Sequence, residues 1–325
     1  MGRLSSPQVV LAPRKIKALL KTGGCPPTSA FGGLRKGSPG TVAKFNNRSI
    51  RRAEIRSTLE AYGGAALKRL GQNFLIDDAL AVEIAAVAGA FKRDIIVEVG
   101  PGLGALTQKL LMLNRPLIAI EKDALAVRVL KRRFEHGANI AFKTADVLKI
   151  PQNALPLKPY TLVANLPYNI TTPFLERVLN KWVRRPAELI VLLQKEAAER
   201  ILAPAPQMNP LAFLAADRST AIIYKIVGPH VFWPQPRVHS ALVIFKNIGR
   251  PTNAHAHKLQ QARFSKITQA FTFPRKTLLG ITNRIFKTTP RADWAKSLKK
   301  AGLGPQARPS QLSPAEWRAW LKATL

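Results

Sequence analysis

From residue 94 onward, short apolar runs rich in β-branched residues alternate with longer stretches whose apolar positions recur every three or four residues. Asp94–Val99, Leu117–Glu121, Asn139–Phe142, Tyr160–Asn165 and Leu189–Leu193 read as five strands. Ala105–Leu113 and Asp123–Phe134 read as helices between the first three. Strands separated by helical patterns of this length predict βαβ units and a doubly wound, parallel α/β sheet. Ala221–Val227 and Ala241–Phe245 flank a proline-rich loop and predict a closing antiparallel pair. After Lys246 the strand-like runs stop. Helical patterns around Leu259–Phe271, Lys276–Phe286, Ala292–Ala301 and Pro314–Leu321 predict a small helical domain, and no internal repeat is visible. The most apolar stretch, Ala79–Phe91, is too short for a membrane span and carries Glu83.

Charge divides the same chain into three parts. The 325 residues carry 51 Lys and Arg against 18 Asp and Glu, a formal net charge of +33. Residues 1–60 hold 12 basic and 2 acidic side chains, residues 61–247 hold 24 and 14, and residues 248–325 hold 15 and 2. A mixed-charge α/β domain (61–247) is thus expected between a basic extension (1–60) and a basic helical domain (248–325). Such an excess points to a polyanionic partner, most often nucleic acid, and away from an enzyme of small neutral substrates. The extension has no acidic residue before Glu54, is rich in Ser, Thr, Gly, Pro and Arg, and has one short periodic stretch, Val9–Leu20. That composition fits an organelle import peptide or a basic RNA-binding arm. The single cysteine, Cys25, excludes a disulfide scaffold and a cysteine-cluster zinc site.

Three features fall in order at the carboxyl ends of strands one to three. Gly100-Pro101-Gly102-Leu103-Gly104 follows the first strand and opens a helix, a turn that lets a ligand approach the backbone closely. Its G-x-G-x-G spacing disfavours a dinucleotide pyrophosphate. Glu121 ends the second strand, where a carboxylate can accept ribose hydroxyls. Asp146 follows the third, within reach of an adenine amino group. Each acid alone is as well read as a solvated loop residue; together with the turn they suggest S-adenosylmethionine.

The fourth strand ends in Asn165-Leu166-Pro167-Tyr168. An adenine amine is a weak nucleophile because its lone pair is delocalised into the ring. A site accepting two hydrogen bonds from that amine draws the nitrogen towards tetrahedral geometry and frees the pair. The Asn165 side-chain oxygen and the Leu166 carbonyl, turned inward by Pro167, are candidate acceptors. Tyr168 is a candidate stacking partner for a base taken out of its own stack. The bland alternative is an ordinary strand-to-helix turn.

These residues carry a resemblance. Arg69-x-Gly71-Gln72-Asn73-Phe74-Leu75, Val97–Gly104, Glu121-x-Asp123 and Asp146-Val147-Leu148 stand in one order with Asn165–Pro173, Leu193-Gln194-Lys195-Glu196 and Phe232–Ala241. The chain resembles the small-subunit ribosomal RNA adenine dimethyltransferase family, strongly over Leu67–Lys246 and more weakly to Leu325. The resemblance implies a Rossmann-like methyltransferase fold and dimethylation of two adjacent adenines in the 3′-terminal hairpin loop of small-subunit rRNA. The cofactor would be S-adenosylmethionine, with contacts at Asn73, Leu75, Gly100, Gly102, Glu121, Asp146 and Asn165. Gln72 would lie on a segment closing over the cofactor, and Phe232 would sit opposite Tyr168 across the target base. Arg237, Arg275 and Lys276 are candidate RNA contacts. The implied partners are rRNA and the immature small subunit, with no membrane, no metal, and a monomer off the particle. An organellar member would reside in the mitochondrial matrix; a plastid, or the cytoplasm with the extension retained, are the alternatives.

Three departures bear on docking. The family's usual Tyr-Gly-x-Leu-Ser-Val is Met208-Asn209-Pro210-Leu211-Ala212-Phe213, an acidic position is His239, and Gln-Arg-Arg-Lys is Phe273-Pro274-Arg275-Lys276. All three are expected on surfaces facing RNA or the particle. They keep open a catalytically silent assembly factor and, on the same fold, an organellar transcription factor. A DNA adenine methyltransferase is disfavoured by Leu166. His255-Ala256-His257 lacks further metal ligands and reads as linker. Lys131-Arg132-Arg133 and Arg184-Arg185 are candidate phosphate contacts but read more readily as solvated charge. Trp294, Trp317 and Trp320 are expected to fill the helical domain's core.

Overall fold

The computed structural model describes residues 47–61, 73–134, 139–285 and 291–322. The described residues form two compact units interleaved in sequence. The first comprises the described residues up to Thr171 with Glu188–Lys195 and Ile223–Ile244; the second comprises Thr172–Ala187, Glu196–Ile222 and the described residues from Phe245 onward. A single boundary near 247 misses this interleaving, because two segments inside the sheet-forming stretch pack with the C-terminal helices.

In the first unit, β1 (Phe74–Leu75) pairs with β8 (Phe232–Trp233) as a separate antiparallel ribbon. The large sheet contains β2 (Ile95–Val99), β3 (Leu117–Glu121), β4 (Ile140–Thr144), β5 (Tyr160–Asn165), β6 (Glu188–Gln194), β7 (Thr220–Val227) and β9 (Ser240–Lys246). Its order is β4-β3-β2-β5-β6-β9-β7, and β2 pairs in parallel with both β3 and β5. All five strands read from hydrophobic runs are present, with β4 extending two residues beyond Phe142. Val97, Leu162, Leu189 and Ile190 are essentially inaccessible, which is why these strands read as continuous apolar runs rather than alternating ones. Each deeply buried Ile, Val or Leu contributes about 1.5–3 kcal/mol.

Order reverses between β2 and β5: the chain winds one way through β3 and β4, then returns to β5 on the other side of β2. Ligands in open α/β sheets bind at the carboxyl ends beside such a switch point. A fork from Arg93 ties the opposite end. Its Nε donates to both oxygens of Glu188 at 3.1 Å and its Nη2 donates to Oε1 at 2.6 Å. Thr161 Oγ1 adds a donor at 3.3 Å, so the buried Glu188 carboxylate is paired.

Two helices of this unit were not read from the sequence as elements. Helix α1 (Asn47–Ala61) occupies the end of the basic extension, correcting the picture of residues 1–60 as a tail throughout. Its Ile55 is 7% exposed and packs with Phe74, Ile76 and Leu103. Helix α2 (Asp78–Ala90) is the apolar stretch, N-capped by Asp77, whose side chain accepts the Leu80 N–H at 2.8 Å. Helices α3 (Ala105–Leu111) and α4 (Ala124–Phe134) follow β2 and β3 as expected. Val9–Leu20 and Cys25 lie outside the described residues, and among the described residues no helix is long and apolar enough to cross a membrane.

The second unit is built around tryptophans and one arginine. Trp294, Trp317 and Trp320 are at most 1% exposed, with Trp317 and Trp320 centroids 5.6 Å apart. Arg185 is fully buried, which overturns its reading as solvated charge. Its guanidinium donates to the carbonyls of Trp182 (2.9 Å), Gly249 (2.7 Å) and Asn180 (3.4 Å) and to Gln260 Oε1 (3.0 Å). A five-donor fork is suited to gathering carbonyls from several chain segments. His257 reaches the Asn180 carbonyl at 3.0 Å, a packing role for one half of the His-x-His pair.

The departure at 208–213 is also internal. Asn209 caps helix α7 (Pro210–Arg218), accepting the N–H groups of Leu211 at 3.1 Å and Ala212 at 3.0 Å. (Helices α5, Thr171–Glu176, and α6, Lys195–Ile201, precede it.) Met208 and Phe213 are buried, and Phe213 meets Trp317 edge-on at 6.4 Å. The expectation that this segment faces RNA is therefore corrected: its changes repack a core. Phe273 does lie on a turn at the surface side, with Lys276 Nζ 5.7 Å from its ring centroid.

Candidate active site

The glycine turn is shaped by its neighbours. Gly100, Gly102 and Gly104 all have positive φ, at 72°, 56° and 89°, where L-residues with a side chain are strained. A Cβ on Gly100 would stand 3.0 Å from the Asn165 carbonyl oxygen and 3.1 Å from Leu166, and one on Gly104 would meet Phe134 at 2.8 Å. Gly100 thus lets the turn after β2 lie directly against the residues that end β5.

A cavity of about 240 Å³ opens there, within the first unit. Asn73, Leu75, Gly100, Gly102, Glu121, Asp146 and Asn165, the described part of the expected cofactor set, all line it, as do Leu166 and Pro167. Gln72 lies outside the described residues. Tyr168 stands next along the chain, and Phe232 is held near Leu75 by strand pairing, its ring 1% exposed. Neither is part of the cavity lining. Arg237, Arg275 and Lys276 are exposed and are not among the residues lining the cavity.

Glu121 is 4% exposed and well supplied with donors. Its Oε1 accepts the N–H groups of Lys122 at 2.8 Å and Asp123 at 3.0 Å, and its Oε2 accepts that of Gly102 at 3.2 Å. Burial still raises its pKa above the ordinary carboxylate value, against the pull of those three donors. Of about four acceptor positions on a carboxylate, these donors leave one open for a ribose hydroxyl.

Asp146 is tied on both oxygens: Oδ1 accepts the Leu148 N–H at 2.9 Å, and Oδ2 pairs with Lys122 Nζ at 3.2 Å. Burial opposes ionisation, but the Leu148 N–H and the Lys122 ammonium bring its pKa below the usual value. Lys122 is largely exposed, so this pair is weak and an amino group can compete for Oδ2.

Asn165 donates through Nδ2 to the Asn73 carbonyl at 3.4 Å, which leaves its Oδ1 to accept. Behind the turn, Glu98 is 1% exposed, and among the described residues neither oxygen has a partner within hydrogen-bonding geometry, the Thr107 hydroxyl standing nearby. Burial, with the Glu121 charge adding and the nearby Thr107 hydroxyl only partly relieving, lifts its pKa to about 8.

Sequence reasoning missed one wall of the cavity. Glu54, Ile55 and Thr58 of α1 line it, and Arg56 lies over Trp233, 5.7 Å from the ring centroid. The available signal was the first acidic residue of the extension, Glu54, followed by Ile55 and Leu59 at a helical spacing of four.

The comparisons decide the family. The family model for "Ribosomal RNA adenine dimethylase" matches residues 65–323. The chain belongs to that family. It is 36% identical over 267 residues to "Ribosomal RNA small subunit methyltransferase A" of Prochlorococcus marinus (strain MIT 9313), covering 78% of this chain and 92% of that one. To the protein of the same name in Dehalococcoides mccartyi (strain CBDB1) it is 33% identical over 276 residues, 82% of this chain and 91% of the other. Among solved structures, a dimethyladenosine transferase from Plasmodium falciparum superposes with a TM-score of 0.63 at 22% identity, over 77% of this chain and 96% of that one. The 23S rRNA methyltransferase ErmE superposes at 0.59 and 23%, over 77% and 99%. These two establish the Rossmann-like fold. Family membership makes this rRNA adenine dimethylase an S-adenosylmethionine-dependent enzyme with rRNA as its substrate.

The donor set fits that cofactor. The glycine cradle leaves room where a Cβ would collide with Asn165 and Leu166, two acids stand at successive strand ends, and Asn73, Leu75 and Asn165 share the lining.

Proposed function

We propose that this dimethylase modifies the exocyclic amines of two adjacent adenines in the 3′-terminal hairpin loop of small-subunit rRNA, on an immature small ribosomal subunit, acting as a monomer off the particle. The observation that carries the reading is the placement of Asn165, Leu166 and Pro167 on the wall of the same cavity as Gly100, Glu121 and Asp146. Glu121 would hold the ribose, Asp146 the adenine end, and Asn73, Leu75 and Gly100 the amino-acid end of the cofactor. The bound cofactor supplies an electrophilic methyl group on a positively charged sulfur. Asn165 Oδ1 and the Leu166 carbonyl accept the two amine hydrogens of the target adenine, localising the nitrogen lone pair towards the cavity. Tyr168 and Phe232 stack on the extruded base. Positioning and exclusion of water carry the rate, so no strong base is needed.

Arg237, Arg275 and Lys276, with the basic helices after residue 247, grip rRNA phosphates. Import into the mitochondrial matrix is the reading that the acid-free, basic stretch before Glu54 supports. Ile55 is a core residue and Glu54 and Thr58 line the cavity, which supports a processed chain that keeps these residues. Residues 1–46 fused to a fluorescent protein should reach mitochondria; plastid or cytosolic signal would overturn the localisation.

The deciding experiment is mass spectrometry of the organism's small-subunit rRNA 3′ hairpin with and without this protein, complemented by wild type or Asn165→Ala. Wild type should restore both dimethyladenines. Asn165→Ala should bind the particle normally and restore almost none. Restoration by the variant, or loss of particle binding equal to loss of methylation, would overturn the assignment.

A further inference from the structure

Tyr168 is placed by a short turn. It opens a single 3₁₀ turn (Tyr168–Ile170), entered through Pro167 and closed by the Ile170 N–H donating to the Pro167 carbonyl at 3.2 Å. Such a turn fixes the backbone and leaves the ring free to pivot about its side-chain torsions. The ring is nevertheless anchored at its tip: Tyr168 Oη and Ser240 Oγ share a hydrogen bond of 2.7 Å across 72 residues of sequence. Ser240 is fully buried and is the first residue of β9. The residue before it is pinned as well, the His239 carbonyl accepting the Lys195 N–H at 3.0 Å just past the end of β6. The hydroxyl therefore sits on a rigid post of the sheet. Burial holds the Tyr168 phenol above its ordinary pKa, so it keeps its proton for this bond at neutral pH.

We infer that Ser240 is a positioning residue for methyl transfer: by tethering the Tyr168 hydroxyl it fixes the plane of the ring against which the target adenine stacks. The inference rests on the reading of the Asn165–Tyr168 turn as the base site. Ser240 touches neither base nor cofactor and acts only through the tyrosine. Losing the tether returns the cost of immobilising one side chain to the transfer step, a slowing of roughly three- to tenfold.

The test is a double-mutant cycle in single-turnover transfer by the full chain to small subunits that lack the adenine methyl groups. Tyr168→Phe removes the hydroxyl while keeping the ring, Ser240→Ala removes the other partner, and the double variant carries both changes. Each single change should slow transfer by that factor, leave cofactor affinity by calorimetry within about twofold, and the double variant should be no slower than either single. A purely structural contribution of Ser240 would instead multiply with Tyr168→Phe, and that result overturns the inference, as does a full rate in either single variant. If Ser240→Ala fails to fold, Tyr168→Phe alone decides by its rate. Asn165→Ala in parallel separates the two ideas: normal transfer by it defeats the base-site reading, whereas its loss beside full-rate Tyr168→Phe defeats only the tether.

Discussion

The backbone N–H of Gly102 donates to Oε2 of Glu121 at 3.2 Å, so the glycine turn after β2 and the acid that ends β3 form one hydrogen-bonded structure. Glu121 shapes the cradle as well as presenting a carboxylate to the cavity.

Replacing Glu121 therefore has two consequences. Glu121→Ala strands three backbone donors and removes the ribose acceptor. Charged hydrogen bonds are worth about 1.5–3 kcal/mol, so cofactor affinity should fall roughly ten- to a hundredfold. Glu121→Gln keeps one acceptor oxygen and should lie between. Calorimetric titration with S-adenosylmethionine checks both, and wild-type affinity in Glu121→Ala would remove Glu121 from the site.

Glu98 gives the fold a pH dependence of known sign. Its carboxyl has an ordinary pKa of 4.5 and a value of about 8 in the folded protein. Between those pH values the folded protein holds a proton that the unfolded chain has lost, so raising the pH favours unfolding. This loss is complete above the folded value and absent below the unfolded one. Glu98→Gln removes the titration and should flatten the melting-temperature profile across that window, leaving the variant more stable than wild type at its alkaline end. Parallel profiles for the two proteins would show that Glu98 does not titrate there.

Helix α1 should behave as part of the enzyme. A chain beginning at Asn47 should bind cofactor like the full protein, whereas one beginning after Ala61 should lose most affinity. Ile55→Asp, which puts a charge among Phe74, Ile76 and Leu103, should cost about 3 kcal/mol or more. Calorimetry and thermal melting read these directly; undiminished binding by the shorter chain would show that α1 is dispensable.

Two kinds of arginine should separate cleanly. Arg185→Ala removes a buried guanidinium that donates to four acceptors, at about 1–3 kcal/mol for each one left unsatisfied, so it should destabilise the second unit severely, and Arg185→Lys should not restore it. Arg275→Ala and Lys276→Ala should leave melting almost unchanged. Each should lower the slope of log affinity for the rRNA hairpin against log salt by about one. An unchanged slope in both would remove them from the RNA interface.

The parallel sheet, its order of acids and glycines, and the Asn165–Tyr168 turn were legible in the chain because each rests on local rules. Buried parallel strands are apolar throughout, turns of positive φ need glycine, and proline does not continue a central strand. Where those local signals act together was not legible. The contact of Gly100 with Asn165 follows from β2 and β5 becoming neighbours, although β3 and β4 intervene in sequence. The same limit hid Arg185, whose charge reads as solvent-facing until the distant Gly249 carbonyl and Gln260 side chain join the nearby Trp182 and Asn180 carbonyls around it. It also hid the core role of Met208 and Phe213, and a wall of the cavity supplied by α1 from within a basic, polar extension.

The sequence by itself determined the element types, the polyanionic partner and the chemistry available at each strand end, since these depend on periodicity, charge and side-chain type within a few residues. Only the tertiary structure decided which side chains share a cavity, which charges are buried, and that Ser240 holds Tyr168. Those outcomes depend on strand order and on contacts between residues far apart in the chain, for which no single stretch carries a signal.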